Sequence, residues 1–347
     1  MNDGTVPEYV LTVLKEFREA RLQLVKKAPN PLPSRRSPIV ISVVKNEIDR
    51  LPDFLRHYRS IGIERFVFID NESTDATREF LASQPDTDVY LKDGAFNWML
   101  KQGWICKIVE TYGYGRWYLY ADADEHVVFD GCDRRTCIEL VGRMEQIGIT
   151  RVRGLLIDMY RRGPLVDSSY ARGDRLLGAY PWFDRDTYRE GLAPQMISVR
   201  GGPRERVFRQ ANTLFEPELT KYPLFRAAPD EYMVNPHHFW PYEGNFTSPR
   251  YLGILHFKFL PGFVERAKQA VDLKNYWNES IEYRCYLQVL DRVPDASLAD
   301  RCSERYVSVS QLVGSRIIAR IPWIPEEDYL SLKNIIGSAL PTRPLDK

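Results

Sequence analysis

The stretch PIVISVVKNEIDRLPDFLRHYRSIGIERFVFIDNESTDAT, residues 38–77, sets two apolar runs on either side of a helical one. PIVISVV (38–44) is apolar almost throughout, as a strand covered on both faces must be. In the segment that follows, Leu51, Phe54, Leu55 and Tyr58 share one helical face, Pro52 falls in the early turns and Gly62 marks the stop. RFVFID (65–70) is the second strand. Strand, helix and strand of this composition predict a parallel pair with a crossover.

The rhythm continues. NESTDATREFLAS reads as a turn and helix, TDVYLKD (87–93) as a third strand, and 97–112 as a helix with Trp98, Ile105, Ile108 and Val109 inward. A fourth strand at 116–121 ends in the acidic run DADEH. The expectation is an α/β fold with a mostly parallel, Rossmann-like sheet and helices on both faces. In such sheets ligands bind beyond the carboxyl ends of the strands. KNE, DNESTD and DADEH each follow a strand directly, so all three should meet on that edge.

Outward from this core, residues 7–27 read as an amphipathic helix and the proline-rich APNPLPSRRSP as a linker, giving a first unit of 1–37. The catalytic unit is expected at 38–260 and a mainly helical extension at 261–347, with a late helix near 326–338. Between 161 and 250 the periodicity weakens, which predicts long site-building loops. RVRGLLIDMY (151–160) and YLGILHFKFL (251–260) read as further strands.

The 347 residues carry 48 Lys and Arg against 47 Asp and Glu, a net charge of +1 that provides no global attraction for nucleic acid. Five scattered cysteines without a CxxC pair argue against a disulfide framework or a zinc site and fit a reducing cytoplasm. No apolar run approaches membrane-spanning length, and no basic, apolar leader opens the chain.

Three carboxylates at the tip of a core strand gain nothing for stability by their mutual repulsion, so a ligand is the better reason for them. If 117–124 is extended, Asp122 and Asp124 point to one side, and two hard oxygens there suit Mg²⁺ or Mn²⁺. The plainer reading is an acidic turn. His256 in LHFK offers an imidazole ligand, and Lys258, on the same strand face, a cation for a diphosphate. His237 and His238 compete for the ligand role, while His126 alternates away. Glu47 and Asp70, at strand ends, are placed to accept hydrogen bonds from a base or ribose, although Asn71, Ser73, Thr74 and Asp75 also suit a helix cap. In GGPRERVF (201–208), Arg204 and Arg206 suit an anion, and Glu205 is a candidate general base with Asp158 as its rival. A surface salt-bridge strip is the plainer reading of that trio. Tyr180, Trp182, His238, Trp240 and Tyr242 are expected to form an acceptor platform in loops, with ordinary core packing as the alternative.

Taken in order, SVVKNE, DNESTD and YLYADADEH resemble the GT-A glycosyltransferases, nearest to the family-2-like group with short KNE, DNxSTD and DxDE signatures. GGPRERVF, KYPLF and LHFKFL are similar to later signatures of that group, so the resemblance spans about residues 38–260. It implies a nucleotide-sugar donor, with UDP-sugars favoured, contacted by Val44, Lys45, Glu47, Asp70, Asn71, Lys107, Asp122, Ala123, Arg204, Arg206 and Lys258. It also implies a divalent metal on Asp122 and Asp124, with His256 similar to the histidine of an HF motif. An acceptor hydroxyl on a glycan or glycolipid, inversion at the sugar carbon, and a place in bacterial surface-polysaccharide synthesis follow from the same resemblance. Any peripheral contact with a membrane-borne acceptor is expected from the terminal helices. The chain departs from the group in lacking a Glu-Asp pair before its C-terminal helices. A DxD phosphohydrolase with Asp122 as nucleophile and a non-catalytic carbohydrate-binding protein are the alternative classes.

Overall fold

The computed structural model describes residues 6–167 and 169–323. Nine strands form the central sheet: β1 Gln23–Lys26, β2 Ile39–Val44, β3 Phe66–Asp70, β4 Thr87–Leu91, β5 Trp117–Tyr120, β6 Glu125–Phe129, β7 Arg151–Asp158, β8 Thr220–Arg226 and β9 Arg250–His256. Their spatial order is β1-β4-β3-β2-β5-β8-β7-β9-β6. β4, β3, β2 and β5 are mutually parallel, as are β7 and β9, while β1, β8 and β6 join antiparallel. The fold is therefore the expected α/β one, with a sheet running mostly in one direction.

Alternate side chains of the apolar strands feed two cores. On one face Val40, Phe66, Phe68 and Leu119 meet Phe54, Leu55 and Tyr58 of α2 (Leu51–Ser60) and Leu140 and Val141 of α5 (Cys137–Gln146). On the other, Ile39, Ile41, Val67, Ile69 and Tyr118 meet Trp104, Ile105 and Ile108 of α4 (Leu100–Tyr112). Each buried Leu, Ile, Val or Phe contributes roughly 1.5–3 kcal/mol, which is why continuous apolar runs became interior strands. The short α3 (Thr77–Ser83) completes the β3-to-β4 crossover.

The N-terminal segment departs from expectation. Helix α1 spans Glu8–Glu19 only, and the chain then pairs as β1 with β4. α1 lies on α4, where Glu16 accepts a hydrogen bond from Trp104 Nε1 at 2.7 Å. Gly103 permits this approach, since a Cβ there would stand 2.8 Å from the Phe17 nitrogen. Below β1, Asp88 is fully buried and accepts from Arg65 at 3.0 Å, from the Tyr112 hydroxyl at 2.5 Å and from the Ala28 amide at 2.6 Å.

The region 161–250 is more ordered than its weak periodicity predicts, because β8 runs inside the main sheet. Pro223 cannot donate to a ladder, and the register of β8 on β7 shifts between Lys221 and Leu224 to accommodate it. Helix α6 spans Gly202–Phe208, and the described part of the extension contributes α7 Phe263–Leu273, α8 Trp277–Arg292 and α9 Val309–Gly314. α6 precedes the boundary at 260 yet packs with α7 and α8 around Phe208, Phe259, Phe263 and Tyr286. The helix expected near 326–338 lies outside the described residues. No helix among the described residues is long and apolar enough to cross a membrane.

Asp88→Ala would leave the 1 % exposed Arg65 without its carboxylate. A cost of about 3–5 kcal/mol in urea unfolding is expected. Arg172→Ala, which breaks an exposed pair with Asp49, should cost less than about 1 kcal/mol. Equal costs would contradict the anchoring role of Asp88.

Candidate active site at the carboxyl edge of the sheet

The loops after β2 and β3 are stapled together. Asn46 adopts a left-handed conformation (φ 56°), and its side-chain oxygen accepts from the Thr74 amide at 2.8 Å. In return its own amide donates to Ser73 Oγ at 3.0 Å, and the Glu47 amide to Thr77 Oγ1 at 2.8 Å. Asp70 is buried, with one oxygen accepting from the Ser73 amide and the other from Arg78 Nε at 2.7 Å. Asn71 donates to the carbonyls of Lys92 and Gly94, both at 2.9 Å, while its side-chain oxygen is buried without a partner. Glu47 forms a close ion pair with Arg50; burial pushes its carboxyl up and Arg50 opposes that. Val44 is buried beneath this loop and Lys45 is exposed on it.

The acidic run is a turn rather than a strand. β5 stops at Tyr120 and β6 starts at Glu125, so Asp122 and Asp124 do not share a side by alternation. Asp122 accepts from Tyr120 at 2.5 Å, from Lys101 at 3.0 Å and from Lys221 at 3.2 Å. Burial alone would raise its carboxyl, but Lys101 and Lys221 outweigh that and hold it well below the usual carboxylate range. Ala123 is buried between the two aspartates. Glu125, 2 % exposed, pairs closely with Lys221 and accepts from the Asp122 amide.

Asp124 differs. Its carboxylate oxygens accept no hydrogen bond among the described residues, and Oδ2 lies 3.7 Å from His256 Nε2. Burial would raise it too; His256, Arg50 and Lys258 together pull it below its ordinary value. His256 and Asp158 are register partners at the ends of β9 and β7, and Nδ1 donates to Asp158 at 2.7 Å. With Nδ1 engaged in that way, Nε2 is the ring nitrogen that faces Asp124. Donor atoms of Asp124, Glu125 and His256 all lie within 4.8 Å of one another, a set that could hold a metal ion. Both Glu125 oxygens already have donors, so Asp124 and His256 are the free ligands, with Asp122 beside them.

From His256 a chain of alternating charge runs into the extension. Asp158 accepts Arg204 Nε at 2.8 Å, Arg204 donates to Glu282 at 2.8 Å, and Lys258 lies 3.2 Å from Glu282. Asp158 is 1 % exposed with both oxygens occupied. It holds His256 and Arg204 in place. Glu205 is buried rather than part of an exposed strip; one oxygen accepts from Arg189 and Arg209 and the other has no partner. Arg206 turns away to grip Asp184.

Several expected contacts lie elsewhere. Lys107 pairs with Glu110 and sits over Phe17 of α1. His238 meets Tyr9 and Tyr242, His237 bonds the Thr220 carbonyl, and Trp240 packs on Tyr242, so neither histidine joins the metal cluster. Tyr180 is in the core, and Trp182 stacks under Arg162. The aromatic groups thus do not form one platform. Lys101, Lys221, Arg50 and Glu282 were not singled out from the sequence. Lys221 stood in KYPLF and Arg50 just after KNE, both stretches with a signal, while Lys101 lay in a helix read only for its apolar face. His126 is buried and stacked on His57 at 4.3 Å with the ring planes 4° apart.

No protein-family model and no curated protein matches the chain. Among solved structures it is similar to S. aureus TarS 1-349 in complex with UDP, at 14% identity and TM-score 0.25 over 35% of each chain. A second S. aureus TarS 1-349 structure gives 10% identity and TM-score 0.31 over 86% of this chain and 78% of that one. Glucosyl-3-phosphoglycerate synthase from Mycobacterium tuberculosis, in complex with Mn²⁺, UDP and glucosyl-3-phosphoglycerate, gives 12% identity and TM-score 0.23 over 42% of this chain and 55% of that one. The chain spans only about a third of the first of these, 35%. Scores at this level carry no argument; the geometry above does.

Lys221→Met strands Glu125 as a buried, unpaired carboxylate and should cost about 3–5 kcal/mol in urea unfolding. Adding Glu125→Gln should recover part of it; no recovery would mean the pair does not carry the cost. Burial pushes His57 down to about 4 from 6.5. The unfolded chain therefore binds more protons in that window, and stability should fall as pH drops through it. His57→Gln should flatten the fall, and an unchanged pH profile would contradict this.

Proposed function

We propose that the chain is a metal-dependent glycosyltransferase that moves a sugar from a nucleotide-sugar donor, a UDP-sugar, to a hydroxyl of a glycan or glycolipid acceptor. A role in bacterial surface-polysaccharide synthesis belongs to the same reading. The observation that carries it is Asp124: a carboxylate with no hydrogen-bond donor among the described residues, opposite an imidazole nitrogen fixed by Asp158, at the edge where α/β sheets bind ligands. The donor set fits a divalent cation, and its mixed nitrogen and oxygen character suits Mn²⁺ better than Mg²⁺. Asp124 and His256 would hold the ion, with Asp122 adjacent. A bound cation of this kind neutralises the charge of a departing nucleoside diphosphate.

The remaining roles fall to the chain's own groups. Lys258, Arg50 and Lys101 provide positive charge around Asp124 and Asp122 for the phosphates. Glu47 and Lys45, on the loop after β2, are assigned to the nucleoside, with buried Asp70 and Asn71 bracing the loop pair from below. Glu205 retains an oxygen without a donor, which supports it over Asp158 as the base that takes the acceptor proton with inversion. A phosphorylated Asp122 finds less support, because Tyr120, Lys101 and Lys221 already occupy its oxygens.

Asp124→Asn should abolish Mn²⁺-dependent hydrolysis of the donor, read as nucleotide release. Asp158→Asn should weaken Mn²⁺ binding by about 10–100-fold through His256. Full metal-dependent turnover in Asp124→Asn would remove the basis of the proposal.

A further inference from the structure

β7 and β9 carry a charged pair at each end. At their carboxyl ends Asp158 faces His256; at their amino ends the register partners are Arg153 and Arg250. Six residue steps on β9 and five on β7 separate the two pairs, about 17–20 Å along the strands. A cavity of about 500 Å³ opens at the arginine end, lined by Arg153, Arg250, Arg316, Arg320 and Glu190, with Pro249, Val313 and Ile318 on its apolar side.

The charge there is unbalanced. Among the described residues the four guanidinium groups of the lining have one carboxylate in it, Glu190, which is 42% exposed and stands 3.2 Å from Arg153 and 3.3 Å from Arg250. Arg153 is 4% exposed, and its Nη1 makes no hydrogen bond despite that proximity. Arg250 Nε is likewise buried without a partner among the described residues. Arg250 is otherwise held by donating to the Arg316 carbonyl at 3.0 Å, which ties the β9 entry to the turn after α9. Interior guanidinium nitrogens are costly without acceptors, and both arginines reach the lining of the cavity with other parts of their side chains. Three excess positive charges exceed what a single carboxylate ligand supplies and match a phosphoryl or diphosphoryl group, whose oxygens suit the guanidinium fork.

We propose that this cavity is a second anion site, separate from the acidic turn, that binds a phosphoryl group of a small molecule or a lipid headgroup. The apolar wall takes the body that carries the phosphate. The site needs no metal, since its charge comes from arginines alone. It stands whether or not the opposite edge transfers sugar.

The test is calorimetric titration of the full chain with inorganic pyrophosphate in EDTA. Binding is expected, and Arg316→Gln with Arg320→Gln, both on exposed residues, should weaken it at least about tenfold with an unchanged melting temperature. Arg153→Gln should act likewise, with the exposed pair keeping the test valid if that variant does not fold. Flotation with phosphatidylcholine vesicles carrying phosphatidic acid separates the sources: flotation lost in the arginine variant identifies a lipid headgroup, and pyrophosphate binding without flotation identifies a soluble ligand. No binding to either probe overturns the proposal. So does pyrophosphate binding that survives the arginine substitutions or disappears in Lys258→Gln.

Discussion

Asp158 sits at the carboxyl end of β7 with almost no access to water, and a carboxylate there requires donors on both oxygens. His256 and Arg204 fill those places. Much of the site follows from that requirement. The bond to Nδ1 turns His256 so that Nε2 faces Asp124, and the bond to Arg204 fixes the guanidinium that reaches Glu282 on α8. The helical extension is thereby tied electrostatically to the sheet edge, and Lys258 is drawn beside it. A single buried acid organises the imidazole, an arginine and a lysine around the acidic turn.

The same turn shows how opposite demands are separated over three residues. Asp122 and Glu125 are neutralised by Lys101 and Lys221 and are spent on structure. Asp124 is left open. Repulsion among the three carboxylates is thus offset for two of them by buried cations, and the third is free for a ligand. Lys221 lies on an antiparallel strand inserted beside β5, and the insertion brings a cation to the Asp122 oxygen that Lys101 does not hold.

What could be read from the sequence was whatever periodicity and strand-end position encode. The apolar runs at 38–44 and 65–70 announced interior parallel strands, and KNE, DNESTD and DADEH announced the edge. His256 was one of three histidines that the sequence left as rivals, because the strand read over 251–260 gave no sign that it ends at His256. β8 was not legible, since Pro223 argues against an interior strand and only a register shift makes it tolerable. Nor was β1, a four-residue edge strand without an apolar pattern of its own. The partners of the buried charges were hidden for a different reason: Lys101, Lys221 and Glu282 lie 21, 99 and 78 positions from the groups they bond, and no local pattern reports such distances. The aromatic loops misled because composition shows that Trp and Tyr are present but not whether they converge.

The central claim is that the open carboxylate at Asp124 and the fixed imidazole of His256 build a metal-assisted nucleotide-sugar site. The most direct measurement is titration of the chain with UDP-, GDP- and CMP-sugars, each with and without Mn²⁺. The account predicts that one nucleotide class, UDP, binds and that it does so only when Mn²⁺ is present. Binding of none of them in Mn²⁺, or binding of all three irrespective of metal, would contradict it.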